Sequence, residues 1–221
     1  MMAALFQIVG REVALAYGLG GRGSARFWMP VAFFIAVAAI YPFAVGSDAQ
    51  LLQRTGGGVI WVAALLASIL PMDRLVGNDI EQGVIDQWAI RGISEEVIAL
   101  AKTIGHWLSF GPPLMLAALL SSALLGLDAR QVMLVEAGLA IATPALAALG
   151  LMIAALTAGI RHGPALGGLL LLPLAVPMLI FGAGSLYPGG ENGLLLLAAG
   201  SIFLVAVGPI AAGAAIRAGR E

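Results

Sequence analysis

Six long apolar runs, at about 27–46, 57–72, 103–126, 132–160, 164–187 and 193–216, are separated by short polar connectors. A helix needs about 20 residues to cross about 30 Å of hydrocarbon, so these runs predict six membrane-spanning helices. One polar interruption is much longer than the others. Asp73 to Lys102, reading DRLVGNDIEQGVIDQWAIRGISEEVIALAK, holds nine of the chain's 23 charged residues. Ahead of the first span, residues 3–18 set Leu5, Phe6, Ile8, Val9, Val13 and Leu15 around a narrow polar face of Gln7, Arg11 and Glu12. That pattern suits a helix lying in the membrane interface, and the glycines from Gly18 to Gly23 end it.

Two of the runs are irregular. The fourth is longer than a span requires and contains Glu136 and Pro144, which predicts a tilt, a kink or an interfacial start. The fifth contains Pro173 and Pro177 and ends in FGAGSLYPGGENG, a run compatible with a broken or partly re-entrant segment. Arg54 to Gly58 reads as a flexible connector into the second span. It has glycines but lacks the Lys-Ser/Thr ending of a phosphate loop.

Composition changes the picture by excluding solubility. The chain is 61% hydrophobic and 10% charged, with a mean hydropathy of +1.01, whereas roughly a quarter of residues are charged in soluble domains. The longest stretch outside the runs, residues 73–102, is too short for its own core. The whole chain, 1–221, therefore reads as one all-α transmembrane domain, with residues 1–26 as an amino-terminal interfacial segment and residues 73–102 as a cytoplasmic loop. Nine of the eleven basic residues fall on one set of connectors, leaving Arg54 and Arg130 on the other. The bias of Lys and Arg toward the cytoplasm then places both termini there, which six spans satisfy. The start lacks a basic region before its apolar part and makes a poor signal peptide. With no cysteine, disulfides, thiolate metal sites and a cysteine nucleophile are excluded for this chain.

The candidate chemistry is sparse. His106 and His162 lack a second ligand at helical spacing. His162 reads as a solvated residue of a short turn beside Arg161. His106 and Trp107, one turn after Lys102, read as an anchor of the third span at headgroup depth. Glu136 is costly near a span unless paired or wet, and reads as an outer-boundary residue. Nothing supports catalysis by this chain alone.

Within the long loop, DIEQGVIDQWAI predicts a short amphipathic helix with Ile80, Val84, Ile85 and Trp88 along one side and Asp79, Glu81, Gln82 and Asp86 exposed elsewhere. Gly92 ends it. Ser94 then caps the third span's helix, with Glu95 and Glu96 in its first turn.

These stretches resemble a known family. GGGVIWVAALLASIL at 56–70, DRLVGNDIEQGVIDQW at 73–88, AKTIGHW at 101–107, TPALAALG at 143–150 and LLLPLAVPMLIFGAG at 170–184 are similar to CcmB, the haem exporter protein B family of cytochrome c maturation. The acidic-Gln-Gly core of the loop is shared more widely among ABC-2 permeases, of the type V exporter kind. The resemblance implies a six-span permease subunit of the bacterial inner membrane, present in two copies, that pairs with a CcmA-like ATPase and works with CcmC and CcmD. It implies ATP and magnesium bound by the ATPase, no cofactor in this chain, haem handled by the complex, and release of the haem-loaded chaperone CcmE. Carried onto this sequence, Asp79, Glu81, Gly83, Asp86 and Gln87 would belong to a coupling helix seated in the ATPase. A departure lies after that helix, where many ABC-2 permeases carry proline and this chain has Arg91, Gly92 and Ile93. The tryptophan-rich motif of CcmC is absent, and no haem ligand is assigned.

Two other readings fit the same pattern: an ABC-2 permease exporting a lipid or hydrophobic drug, and an assembly scaffold that holds a haem-handling partner without moving a substrate. Neither they nor the first involve nucleic acid.

Overall fold

The computed structural model describes residues 2–18, 28–46, 48–72, 75–160, 163–190 and 192–220, with Pro164 described by its backbone alone. Arg22, Arg26, Asp73, Arg74, Arg161 and His162 lie outside the described residues. Among those described there is no strand, and helices occupy Met2–Tyr17 (α1), Trp28–Val45 (α2), Ala49–Ile69 (α3), Gly77–Glu81 (α4), Val84–Ile90 (α5), Glu95–Leu124 (α6), Ala129–Thr157 (α7), Gly163–Gly184 (α8) and Gly193–Ala218 (α9). Six of them, α2, α3, α6, α7, α8 and α9, are long and apolar enough to cross a membrane. The six expected spans are therefore present, with shifted boundaries.

One shift is at α3, which begins at Ala49, well before the expected start of the second span. Asp48 caps it, accepting from the N–H groups of Gln50 (2.9 Å) and Leu51 (3.2 Å). Arg54 to Gly58 is consequently helix and not a flexible connector. Gly56 and Gly57 are buried, and a side chain at Gly56 would meet Leu127 Cδ1 at 2.8 Å. Close packing on the α6–α7 turn offsets the helix weakness of consecutive glycines.

Buried among the others, α7 packs against α3, α6, α8 and α9. It starts with a capping box in which Gln131 N–H donates to Asp128 Oδ1 (2.8 Å) and Asp128 N–H to Gln131 Oε1 (3.1 Å). It runs without interruption through Pro144. The expected break in the fifth span is likewise absent, since α8 continues through Pro173 and Pro177 to Gly184.

The apolar interior has two parts. Phe34, Ile60, Trp61, Phe110, Leu139 and Leu149 fill the middle of the bundle. A second cluster, with Ile8, Val76, Ile85, Ile98, Leu151 and Ile216, joins α1, α5, α6, α7 and α9 at one end. Thirty residues make α6 about 45 Å long at about 1.5 Å per residue, more than the span needs. Its first turns extend into this second cluster.

Candidate functional site

The loop expected to form one coupling helix forms two. Gly83, in the left-handed conformation at φ 67°, separates α4 from α5. Such a φ costs a side-chain-bearing residue roughly 1–2 kcal/mol, which explains glycine here. After α5 the chain turns back: Gly92 N–H donates to Ala89 O (2.9 Å) and Ile93 N–H to Trp88 O (3.2 Å). The helix ends at Ile90, so the lack of a following proline is met by a glycine reversal. Ser94 occupies the cap of α6, although its hydroxyl makes no capping hydrogen bond. Ile85 is buried in the second cluster, Trp88 is half-buried and Ile80 is exposed. The break at Gly83 is what turns Ile80 away from the face shared by the other apolar residues.

Asp79 is not exposed. It is 6% accessible, enclosed by three charged groups that no local pattern links to it. Arg11 of α1 grips it with both terminal nitrogens, Nη2 to Oδ1 at 2.7 Å and Nη1 to Oδ2 at 3.2 Å. Lys102 of α6, 2% accessible, donates to Asp79 Oδ2 at 2.5 Å and to Glu12 Oε1 at 2.9 Å. Glu12 also accepts from Arg11 Nη1 at 2.8 Å. The Trp88 ring completes the enclosure, with Arg11 Cζ 5.3 Å and Lys102 Nζ 6.0 Å from its centroid.

Two cations and two carboxylates leave no net charge in the cluster, which is the condition for holding ions away from water. Burial, the largest influence, pushes the Asp79 carboxyl up, but hydrogen bonds and charge from Arg11 and Lys102 outweigh it and hold the group below its ordinary value. For Arg11, burial pulls down and the Asp79 and Glu12 carboxylates more than restore it, for a net rise.

Two further contacts hold α1 against α6. The helices approach so closely that a Cβ at Gly105 would lie 2.5 Å from Glu12 Cβ. Pro112 has no N–H for the carbonyl of Leu108 four residues earlier, and Tyr17 Oη donates to that carbonyl at 3.1 Å.

The other residues of the expected coupling helix separate from Asp79. Glu81, Asp86 and Gln87 are exposed and Gly83 is half-buried. Asp86 accepts from Arg220 Nε at 2.7 Å, Arg220 Nη1 donates to Glu95 Oε1 at 2.5 Å, and Arg217 pairs with Glu96. The end of α9 is thereby tied to α5 and the start of α6. Glu81 borders a small hollow shared with Asn78, Thr157 and Gly159.

By pattern alone, Arg11 and Glu12 belong to a polar helix face and Lys102 to a span anchor. The available signal was chemical: a lysine set in the apolar stretch IALAKTIGHW must find an acid if that stretch is packed. His106 and Trp107 are not headgroup anchors either. His106 is buried beside Phe110, ring centroids 4.8 Å apart, and Trp107 Nε1 donates to Thr143 Oγ1 at 3.1 Å inside the bundle. Glu136 is half-buried on α7, and neither its Oε1 nor Nε2 of His106 has a hydrogen-bond partner among the described residues. No group of three or more His, Asp and Glu side chains converges as a metal site among the described residues.

A family model described as CcmB protein matches residues 3–219, from the first turn of α1 to just past the end of α9. The chain belongs to the CcmB family. Heme exporter protein B of Rhodobacter capsulatus is 40% identical over 215 residues, covering 95% of this chain and 97% of that one. The protein of that name in Paracoccus denitrificans is 39% identical over 212 residues, covering 94% and 95%. The one in Escherichia coli K12 is 35% identical over 201 residues, covering 89% and 91%. With six spanning helices, this CcmB-family chain is a multi-pass protein of the bacterial inner membrane.

Proposed function

We propose that this chain is the membrane subunit through which a separate CcmA-like ATPase drives a step of cytochrome c maturation, with CcmC and CcmD beside it and two copies in the complex. Membership of the CcmB family makes it a membrane permease concerned with haem and cytochrome c maturation. The finer reading is that ATP hydrolysis by the partner, which holds ATP and magnesium, promotes release of haem-loaded CcmE. Haem is then a cargo of the complex, and this chain is its non-catalytic transmitter.

The observation carrying this reading is the division of labour among the loop carboxylates. Asp79 joins α4 to α1 and α6 inside the protein, while Glu81, Asp86 and Gln87 stay exposed on the same short segment. A push on the exposed residues is passed through a buried ionic junction to a helix that continues through the bundle. On this reading Glu81, Gly83, Asp86 and Gln87 form the surface offered to the ATPase, and Asp79 acts through Arg11 and Lys102. The gathering of Arg11, Arg91, Lys102, Arg217 and Arg220 at this end supports a cytoplasmic placement.

The test is co-purification with neighbouring gene products, followed by release of haem-loaded CcmE from the detergent-solubilised assembly. Release that requires both ATP and this chain is expected. A stable complex with an ATPase that never acts on the chaperone would overturn the proposal in favour of a lipid or drug exporter.

A further inference from the structure

Beside the ionic junction, α1 and the α5–α6 turn enclose an open cavity of about 640 Å³. That lies within the range of about 300–1,000 Å³ of small-molecule sites. Ile8, Ile93 and Val97 give it an apolar wall, while Arg11, Arg91 and Ser94 bring two guanidinium groups and a hydroxyl to the same space. No carboxylate lines it among the described residues.

The two arginines differ. Arg11 has its terminal nitrogens engaged by Asp79 and Glu12. Arg91 is exposed and its side chain makes no ion pair or hydrogen bond among the described residues, although Arg217 and Arg220 are both paired. The cavity thus has a cation without a counter-charge. On the same two helices, α1 and α5, the apolar side chains of Phe6 and Ile90 are 65% and 85% exposed.

We propose that this cavity seats the phosphodiester headgroup of an anionic phospholipid, with the acyl chains lying along the exposed apolar side of α1. Arg91 supplies the fork of donors that fits phosphate oxygens. A small soluble anion would satisfy the guanidinium but has no use for the Ile8–Ile93–Val97 wall. A lipid uses both, and basic pockets between membrane helices are sites where such headgroups are held. This inference concerns a structural ligand and does not rest on the haem reading.

The experiment measures lipid retained by the full chain, purified with its co-purifying partners, stripped in detergent and exposed to vesicles of phosphatidylglycerol or phosphatidylcholine before native mass spectrometry. Phosphatidylglycerol is expected to be retained in preference. Arg91→Gln, an exposed substitution that touches no ion pair, is expected to reduce that retention about fivefold, the effect of about one basic side chain at a lipid surface. Inorganic phosphate added at the same concentration should not displace the lipid. Equal retention of the two lipids, an unaffected Arg91→Gln variant, or displacement by inorganic phosphate alone would overturn the assignment.

Discussion

Arg11 and Asp79, 68 residues apart in the chain, meet in a two-pronged pairing that fastens the amino-terminal helix to the loop between the second and third spans. Lys102 closes the junction from the other side. Every helix that moves with α4 must therefore move with α1 and α6, or break ionic contacts removed from water.

Removing two members should cost less than the two single losses added together. Asp79→Asn leaves an excess of buried positive charge and is expected to destabilise the protein by about 3–5 kcal/mol. Lys102→Met should cost a similar amount. Their combination should fall short of the sum because both act on one cluster. Denaturant unfolding of the four proteins in one detergent checks this, and additive losses would mean the cluster is not a unit.

Acid should undo the same junction. The folded Asp79 carboxyl lies below its ordinary value, so its contribution is complete above the unfolded carboxyl's pKa of about 3.9 and is lost as pH falls through the lower folded value. Melting curves from neutral pH downward should show this loss in the native protein and lack that part of it in Asp79→Asn.

The exposed loop residues should behave in the opposite manner. Glu81→Lys with Gln87→Ala alters two exposed side chains and should change stability by no more than about 0.5 kcal/mol. Pull-down of the ATPase is expected to fail with this double variant. Full retention of the ATPase at unchanged stability would remove these residues from the contact.

The bend at Gly83 gives a conformational test. Its Cβ would meet nothing within 4 Å, so substitution carries only the backbone cost. Gly83→Val should lose about 1–2 kcal/mol, and Gly83→Asn less, because asparagine tolerates the left-handed region. If both substitutions cost nothing measurable, the bend does not persist in solution.

The six spans were legible because each is a run of apolar residues of the length a bilayer demands, and that constraint acts on the segment alone. Where neighbours decide, the pattern misled. Gly56 and Gly57 punctuate a sequence, yet in the folded chain they are packed against the α6–α7 turn and beside α8, and the helix continues through them. Pro173 and Pro177 predicted a break that surrounding helices suppress. At the candidate site, the amphipathic loop and its end at Gly92 were readable from spacing. The burial of Asp79 was not, since it depends on Arg11 and Lys102, residues from two other helices whose own patterns suggested a membrane surface.

Lys102 is the only lysine in the chain, and its amine is shut inside the junction with Glu12 and Asp79. Amine-acylating reagents will therefore find no reactive side chain among the described residues of the resting protein. A label that does appear at this position during ATP turnover would record the first opening of the junction in each molecule, without any engineered probe.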